Sequence, residues 1–476
     1  YNKYIFISLF MEYTKKTKIV CTIGPSSWDQ EVMRQMIEAG MTCARVNGAF
    51  ADEAELDKVT ALVRNVSNEV ALMMDVKGPE VRMNKFAEPK KLNPGMEVVI
   101  GNDESAEIYP ANYKDLYKHL NPGQRIVIGD GDTELIIKSI EGDKMITEVV
   151  FGELLKPGKA MNLPGADFAT SALTDKDIRN LKHSLELGWD FVSASFIQTA
   201  EAAREVKKYL EGSNMKLIAK IEDGSGVENI DEILEVVDGI MVARGGLGVE
   251  LGLENVPMAQ LELIEKSIAI GKPVITATQM LESMITNPRP TRAEVNDVAT
   301  AIMLGTDSVM LSGESSAGQY PVEAVKFLTK IANAIEPNVQ PGIVEEHTHG
   351  PVGTDALTKA VAQMAIEMGD EIDAIIVVTR TGRTARLIGR HGVKQPLYAF
   401  VSAENFVREL AISKGINRAF VQESPVADRD TAVQHVIEEA KKLGVISTGQ
   451  KVLFVSKTPV GGENYFPNVL EVIEVK

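Results

Sequence analysis

Short apolar runs rich in Val and Ile recur along the chain, and amphipathic stretches of helical period separate most of them. The runs are Lys18–Gly24, Cys43–Asn47, Ala71–Val76, Asp190–Phe196, Leu217–Glu222, Gly239–Arg244, Pro273–Thr278 and Ser308–Gly313. Strand–helix alternation implies parallel pairing with right-handed crossovers, and eight units are the number that closes a barrel. The predicted fold class is α/β, a (β/α)8 TIM-type barrel, with a doubly wound open sheet as the competing arrangement. Helix starts carry caps: Thr174 with Asp177, and Thr291 with Glu294 as a T-x-x-E capping box.

The alternation breaks once, after the third run. From Arg82 to Gly165 the pattern is one of short strands (Glu97–Ile100, Arg125–Ile128, Glu134–Ile140, Met145–Val150) punctuated by Gly and Pro. This predicts an inserted β-rich lid domain over 81–165, at a strand end of a barrel formed by 15–80 and 166–338. Barrel enzymes do their chemistry beside such strand ends; a passive surface insertion is the other reading. Residues 339–354 are polar and rich in Pro and Gly, and are expected to be a linker. Beyond them, 355–476 return to βα alternation and predict a C-terminal open-sheet α/β domain of about five strands. Residues 1–14 are expected to form an N-terminal extension outside the fold. Their apolar run, Tyr4–Met11, is shorter than the ~18 residues that span a bilayer and lacks a small-residue cleavage site.

Composition narrows the function. Of the 476 residues 25% are charged, and the formal net charge of −17 opposes binding to a nucleic-acid backbone. Local basic clusters can still hold small anions against that global field. Two cysteines, Cys21 and Cys43, cannot staple a chain of this size, so a reducing cytoplasm is the expected location, with no membrane partner.

In a parallel barrel, groups that act together come from the C-terminal ends of several strands. Read in order, those ends supply Arg45, Asn47, Asp75, Lys77, Ser195, Lys220, Glu222, Arg244, Thr278 and Glu314. One charged strand end is an ordinary meeting with solvent; this many predict a shared polar site. Lys220 and Glu222 lie two apart, so both face the same way on a strand. The carboxylate suits a hard divalent cation and the lysine suits charge on a transferring phosphoryl group, although a plain ion pair fits the same spacing. Arg45 and Lys77 add positive charge at the same mouth and point to an anionic substrate. The run Arg244-Gly245-Gly246-Leu247-Gly248 is expected to precede a short helix and to offer backbone N–H groups to an oxygen-rich ligand, or simply to reverse the chain. Thr379-Arg380-Thr381-Gly382-Arg383-Thr384 follows a strand and opens a helix, which makes either a phosphate cradle or a Thr/Gly cap. Gly129-Asp130-Gly131-Asp132 reads as a hairpin turn, and none of the six histidines has metal-ligand spacing.

These residues resemble the pyruvate kinase family. The matching stretches are Lys18–Pro25 (KIVCTIGP), Asp75–Arg82 (DVKGPEVR), Asn162–Gly165 (NLPG), Lys220–Glu222 (KIE), Pro273–Met284 (PVITATQMLESM), Pro290–Val295 (PTRAEV) and Met310–Glu314 (MLSGE). The resemblance runs in order from about Lys15 to the C-terminus. It implies transfer of a phosphoryl group from phosphoenolpyruvate to ADP, giving pyruvate and ATP, in a homotetramer. By position, Arg45 would hold the phosphoryl group, Lys220 would stabilise its transition state, and Thr278 would lie by the carbon that is protonated. Gly245 and Gly246 would border the substrate, while Arg82 and Lys159 would bind nucleotide as the lid closes, with Asp130 on the lid side. Glu222 would bind Mg2+ or Mn2+; Asn47, Asp75 and the Val76 carbonyl would line a K+ site. Residues Thr379, Thr381, Gly382, Arg383 and Thr384 correspond to the family's effector region.

The sequence departs from the family pattern at three places. Gly246 stands where the family has the second carboxylate ligand of its divalent metal. Asn47-Gly48-Ala49-Phe50 stands for Asn-Phe-Ser-His, which removes a hydroxyl from the K+ site and a histidine from the nucleotide region. Gln198 replaces an arginine, whereas Glu80, which in K+-dependent members leaves room for the cation, is present. Two further readings follow: a metal-site-impaired homologue that binds phosphoenolpyruvate or a sugar phosphate, and an enolising lyase on the same barrel.

Overall fold

Eight parallel strands close into a ring in the computed structural model. In chain order they are Lys18–Thr22, Cys43–Asn47, Ala71–Val76, Phe191–Ala194, Lys216–Ile221, Gly239–Ala243, Val274–Ala277 and Ser308–Leu311. The ring shuts where Lys18 of the first strand pairs with Ser308 of the eighth, so the competing open sheet does not form. The structure describes residues 15–476 apart from Pro79, 103–107, Lys114, Asp130, 167–171, 345–353, 423–428 and 457–468. The N-terminal extension, Asp130 and most of the linker therefore lie outside the described residues.

Two-residue parity decides what the barrel encloses. Residues such as Ile19, Ala44, Leu72, Val192 and Leu217 point outward and pack beneath the surrounding helices. Val20, Cys43, Ala71, Met73, Phe191, Ile218, Met241, Ile275 and Met310 point inward and fill the lower barrel. The next inward positions up the strands are polar: Arg45, Asp75, Ser193 and Lys220. The interior is thus apolar below and ionic above.

Other segments seal one end and roof the other. Ala411 and Ile412 of the C-terminal domain join the barrel's inner cluster, and Ser308 Oγ donates to the Ile412 carbonyl at 3.0 Å. Around this plug, Arg408 pairs with the buried Asp190 at 2.7 Å, and the Lys414 N–H donates to Asp307 at 2.7 Å. The C-terminal sheet has five strands, Ala374–Val378, Leu397–Val401, Arg418–Val421, Lys451–Ser456 and an antiparallel edge strand Val469–Glu474. Between the third and fourth barrel strands a six-stranded sheet forms with its own core, including Val98, Ile100, Ile126, Leu135 and Ile137. Its pieces Ile108–Pro110 and Met161–Asn162, and the separate pair Lys90–Lys91 with Leu154–Leu155, are too short to register as hydrophobic alternation. Both expected capping boxes are present, at Thr174 and at Thr291.

Three lysines enter the first barrel strand at the sealed end. Lys15 and Lys18 are buried, and the Lys16 ammonium donates to the carbonyls of Val393 and Gln395 in the C-terminal domain. Burial, aided by repulsion from Lys18, lowers the Lys15 pKa to about 7; burial lowers Lys16 and Lys18 to about 8. Below pH 7 these groups carry protons in both folded and unfolded chains, and the full burial penalty is present. As pH rises from there towards 10.5 the unfolded chain binds more protons, so folding stability should rise. Lys15→Met should remove part of that rise, a slope difference of up to about 1.4 kcal/mol per pH unit in urea unfolding followed from pH 6.5 to 9.5. Parallel slopes for the two chains would refute the assignment.

Candidate active site

The second, third and fifth strands deliver Arg45, Asp75 and Lys220 to one level of the barrel. The ring sets this level, since Asn47 is registered with Asp75, and Asp75 with Ser193. Asp75 is the hub. Its Oδ2 lies 2.7 Å from Arg45 Nη2, and its Oδ1 lies 3.3 Å from Lys220 Nζ and 2.8 Å from the donating Ser193 hydroxyl. Burial raises a carboxyl pKa, but two adjacent cations and the Ser193 hydrogen bond outweigh it, and the Asp75 pKa lies below its ordinary value. For Lys220, burial disfavours the charge while Asp75 and Glu222 favour it, and the carboxylates prevail: its pKa is raised. Lys220 also donates to Ser195 Oγ at 2.5 Å and lies 3.0 Å from Glu222 Oε1.

One buried atom of this cluster is left for something else. Arg45 Nε has no hydrogen-bond partner among the described residues, whereas Glu222 Oε1 is paired with the Lys220 ammonium. A buried donor without an acceptor costs about 1–3 kcal/mol, so Arg45 Nε marks a place that an anionic ligand completes. Between the barrel mouth and the lid opens a cleft of about 650 Å3 walled by Ala49, Phe50, Lys77, Glu80, Arg82 and Tyr113, among others. Glu80 Oε2 holds Lys77 at 2.6 Å and Arg82 at 2.5 Å. Lys159 lies next to Ala160, which bridges to Arg82, and its ammonium rests 3.3 Å from Asp132 on the lid hairpin. Phe50 is 84% exposed on the cleft wall.

The seventh strand ends in strained backbone. Thr278 and Gln279 take φ of 67° and 54°, a region that a β-branched residue avoids unless its surroundings hold it there. Arg244 does the holding: its guanidinium donates to the carbonyls of Ala277 and Thr278 and pairs with Asp297 at 2.6 Å. Glu314 accepts the N–H groups of Leu281 and Ser312 and is fully buried. Both residues brace the loops around the site rather than extend its cationic cluster. The glycine run also differs from expectation, for Gly245, Gly246 and Gly248 lie inside the helix Arg244–Leu251. The Gly245 N–H donates to Thr278 Oγ1 at 2.9 Å and fixes that hydroxyl instead of facing a ligand.

Sequence reading passed over Ser193, Lys176 and Asn180, which shape the site, and took Asp177 only as the cap partner of Thr174. Ser193 was open to parity, two positions before Ser195. The other three lie on the helix Asp175–Glu186, where only tertiary contact reveals their hold on the loops. Asp177 accepts the N–H groups of Lys77 and Gly78, Asn180 donates to the Ala51 carbonyl, and Lys176 Nζ donates to the Ala49 carbonyl at 2.8 Å.

Residues 14–325 match the family described as pyruvate kinase, barrel domain, and 355–473 match pyruvate kinase, alpha/beta domain. The chain belongs to the pyruvate kinase family. It is 38% identical to the pyruvate kinase of Geobacillus stearothermophilus, over 94% of this chain and 78% of that protein. It is 37% identical to that of Clostridium perfringens (94% and 98%) and 38% identical to that of Eimeria tenella (97% and 90%).

Pyruvate kinases generally need a divalent metal and K+. Glu222 offers a divalent cation a hard carboxylate whose Oε1 is shared with the Lys220 ammonium; Gly246 adds no carboxylate, and waters or substrate oxygens must complete an octahedron. The expected K+ set keeps three oxygen sources, each also engaged within the protein: Asn47 Oδ1 accepts from the Ala49 N–H, the Val76 carbonyl accepts from the Ser195 N–H, and the Asp75 carboxylate faces Arg45 and Lys220, while Ala49 adds no hydroxyl.

Gly246 is also a close approach of backbone. A Cβ there would stand 2.9 Å from both the Glu222 Cβ and the Glu222 carbonyl oxygen, neither of which is the movable end of a side chain. Alanine in place of glycine inside a helix normally stabilises by about 1 kcal/mol. Here the contact should reverse that sign, and Gly246→Ala should destabilise the fold by roughly 1–2 kcal/mol in urea unfolding. A stabilised variant would show that the helix does not pack on Glu222 as described.

Proposed function

We propose that this chain transfers the phosphoryl group of phosphoenolpyruvate to ADP, taking up a proton and releasing pyruvate and ATP, the glycolytic reaction of its family. The observation that carries the reading is the cluster at the barrel mouth, where Asp75 and Glu222 hold the Lys220 ammonium and the Arg45 Nε donor is left without a partner among the described residues. A phosphoryl group in flight spreads negative charge over its oxygens, so catalysis is mostly positioning and cationic stabilisation. Arg45 grips the phosphoryl oxygens through its unpaired N–H. Lys220, kept charged by Asp75 and Glu222, neutralises the transition state. Glu222 would hold Mg2+ or Mn2+, which when bound neutralises phosphoryl and enolate oxygens. Thr278, with its hydroxyl fixed by Gly245, lies by the carbon that is protonated, and Gly245 and Gly246 border the substrate.

Lys77 and Arg82 are set to take the nucleotide phosphates once Glu80 yields them, with Lys159 arriving from the lid. At the far domain, Thr379, Thr381, Gly382, Arg383 and Thr384 form our candidate effector site. Its loop is pinned by the Thr379 N–H on the Phe400 carbonyl, and it leads into the short helix Arg383–Gly389. A cytoplasmic homotetramer is the assembly we assign by family likeness. Among the described residues no helix is long and apolar enough to cross a membrane.

A coupled assay for ADP-dependent pyruvate release, titrated with Mg2+ and with Mn2+, tests the reaction. Lys220→Met should lower kcat by about 10³ or more, since one well-placed transition-state contact is worth that much. Gly246→Asp brings the same crowding on Glu222 as Gly246→Ala and should lower stability likewise, but the folded protein should need about tenfold less metal for half-maximal rate, because a second carboxylate is added. ATP formation at no metal concentration by folded protein, with thermal stabilisation by phosphoenolpyruvate alone, would replace this reading with a binding role.

A further inference from the structure

At the sealed end of the barrel, opposite the cleft under the lid, positive charge gathers without matching acid. The turn after the helix Val256–Ala269, the residues just before the eighth strand and the helix Arg383–Gly389 of the C-terminal domain meet around a cavity of about 20 Å3. Lys272, Arg386, Arg390 and Lys414 line it, and among its described lining residues Asp307 is the one acid. The seam is tight: Gly271 takes φ of 68°, and a Cβ on it would stand 2.5 Å from Leu387 Cδ2. Asp307 sets one negative charge against four positive, and its two oxygens already accept the Lys414 N–H at 2.7 Å and the Val274 N–H at 3.0 Å. The next acids, Asp238 and Glu409, have lysines of their own, Lys207 at 3.4 Å and Lys216 at 3.7 Å.

Backbone carbonyls hold three of these cations. Lys272 donates to the carbonyls of Leu234 and Val237, Lys414 to that of Ile302 at 3.3 Å, and Arg390 to that of Ala269 at 3.1 Å. Such partners fix the side chains in place but leave their charge standing. Arg386 differs, for its Nε is buried and donates to nothing among the described residues. Burial pushes Lys272 down to about 8 and lowers Arg386 and Lys414, as it does where positive charge lies away from water without an anion. We propose that this seam binds a small inorganic oxyanion of the size and charge of phosphate, gripped by the Arg386 guanidinium with Arg390 and Lys414 around it. The cavity exceeds the ~10–15 Å3 that one water needs and is too small for a sugar ring or a nucleotide. The bound anion ties the helix Arg383–Gly389, which begins at the candidate effector loop, to the barrel wall. None of these residues belongs to the phosphoryl-transfer site, so the proposal stands apart from the reaction given above.

The test follows thermal melting and amide hydrogen exchange of the full chain in sodium phosphate and in sodium chloride, at one pH and one ionic strength. Phosphate should raise the melting temperature by a few degrees over chloride and slow exchange in Arg383–Gly389 and in the turn at Gly271 and Lys272. Arg386→Gln should abolish both effects. Because it removes a buried charge that lacks a partner, it should also melt no lower than the natural chain in chloride. Arg386→Lys keeps the charge but loses the fork, and should bind phosphate about tenfold more weakly. Equal effects of chloride and phosphate overturn the proposal, as does slower exchange confined to the strands at the barrel mouth. A folded Arg386→Gln chain that keeps the phosphate-dependent protection of Arg383–Gly389 overturns it too. If that variant does not fold, Arg386→Lys decides, and phosphate binding as tight as in the natural chain counts against the guanidinium.

Discussion

The site depends on one buried carboxylate. Arg45 and Lys220 reach the same level of a barrel whose lower interior is apolar, and two unpaired cations there would repel each other in a poorly screened space. Asp75 stands between them, 2.7 Å from one and 3.3 Å from the other, with the Ser193 hydroxyl on its remaining flank. Breaking such a buried pair costs about 3–5 kcal/mol, because the surviving charge is left uncompensated. Closure of the ring is what allows this arrangement, since it brings strands two, three, four and five into one register. An open sheet would place the same residues along a line, exposed and apart.

The two ends of the barrel are treated in opposite ways, and that asymmetry directs chemistry to one face. Below, Ala411 and Ile412 plug the interior, while Asp190, Asp307 and the buried lysines join the plug to the barrel walls. Above, the cavity stays open under the lid, and the charged groups that line it hold one another in reserve. Lys77 and Arg82 share Glu80, as Arg45 and Lys220 share Asp75. An incoming polyanion therefore meets cations already in place and displaces acidic partners, without having to order the cations itself. This is the preorganisation that phosphoryl transfer rewards. It also locates the −17 net charge, which belongs to the outer surface and leaves the mouth cationic.

Much of this was written in the order of residues. Strand parity alone separates Ile19, Ala44 and Leu72, which face helices, from Arg45, Asp75 and Lys220, which face the axis. The T-x-x-[DE] boxes at Thr174 and Thr291 predicted helix starts that the structure places there. What stayed hidden depended on tertiary contact. Three glycines in five residues argue against a helix by propensity, yet packing of Leu247 in the core and Arg244 on the strand-seven carbonyls keeps Arg244–Leu251 helical. Arg244 and Glu314 were legible as charged strand ends, but their neighbours turn them to loop bracing. Lys176 and Asn180 gave no sequence signal, and Asp177 read only as the capping partner of Thr174, because the grip of a helix on two loops shows only in tertiary contact.

The departures from the family share a physical logic. Ala49 and Gly246 remove an oxygen ligand each, one hydroxyl and one carboxylate, whereas Arg45, Lys77 and Lys220 carry positive charge on side chains at the barrel mouth. A site that loses ligands for diffusible cations while carrying its own must be balanced by fixed acids, and Asp75, Glu80 and Glu222 supply that balance within hydrogen-bond range. Fixed charge differs from bound ions in needing no recruitment from solution, but it cannot leave, so backbone must be built around it. Gly48 against the Asp75 carbonyl and Gly246 against Glu222 are where that building is tightest, each at a contact no Cβ tolerates. The glycines are therefore part of the electrostatic design, since they let the loops close on the acids that hold the cations.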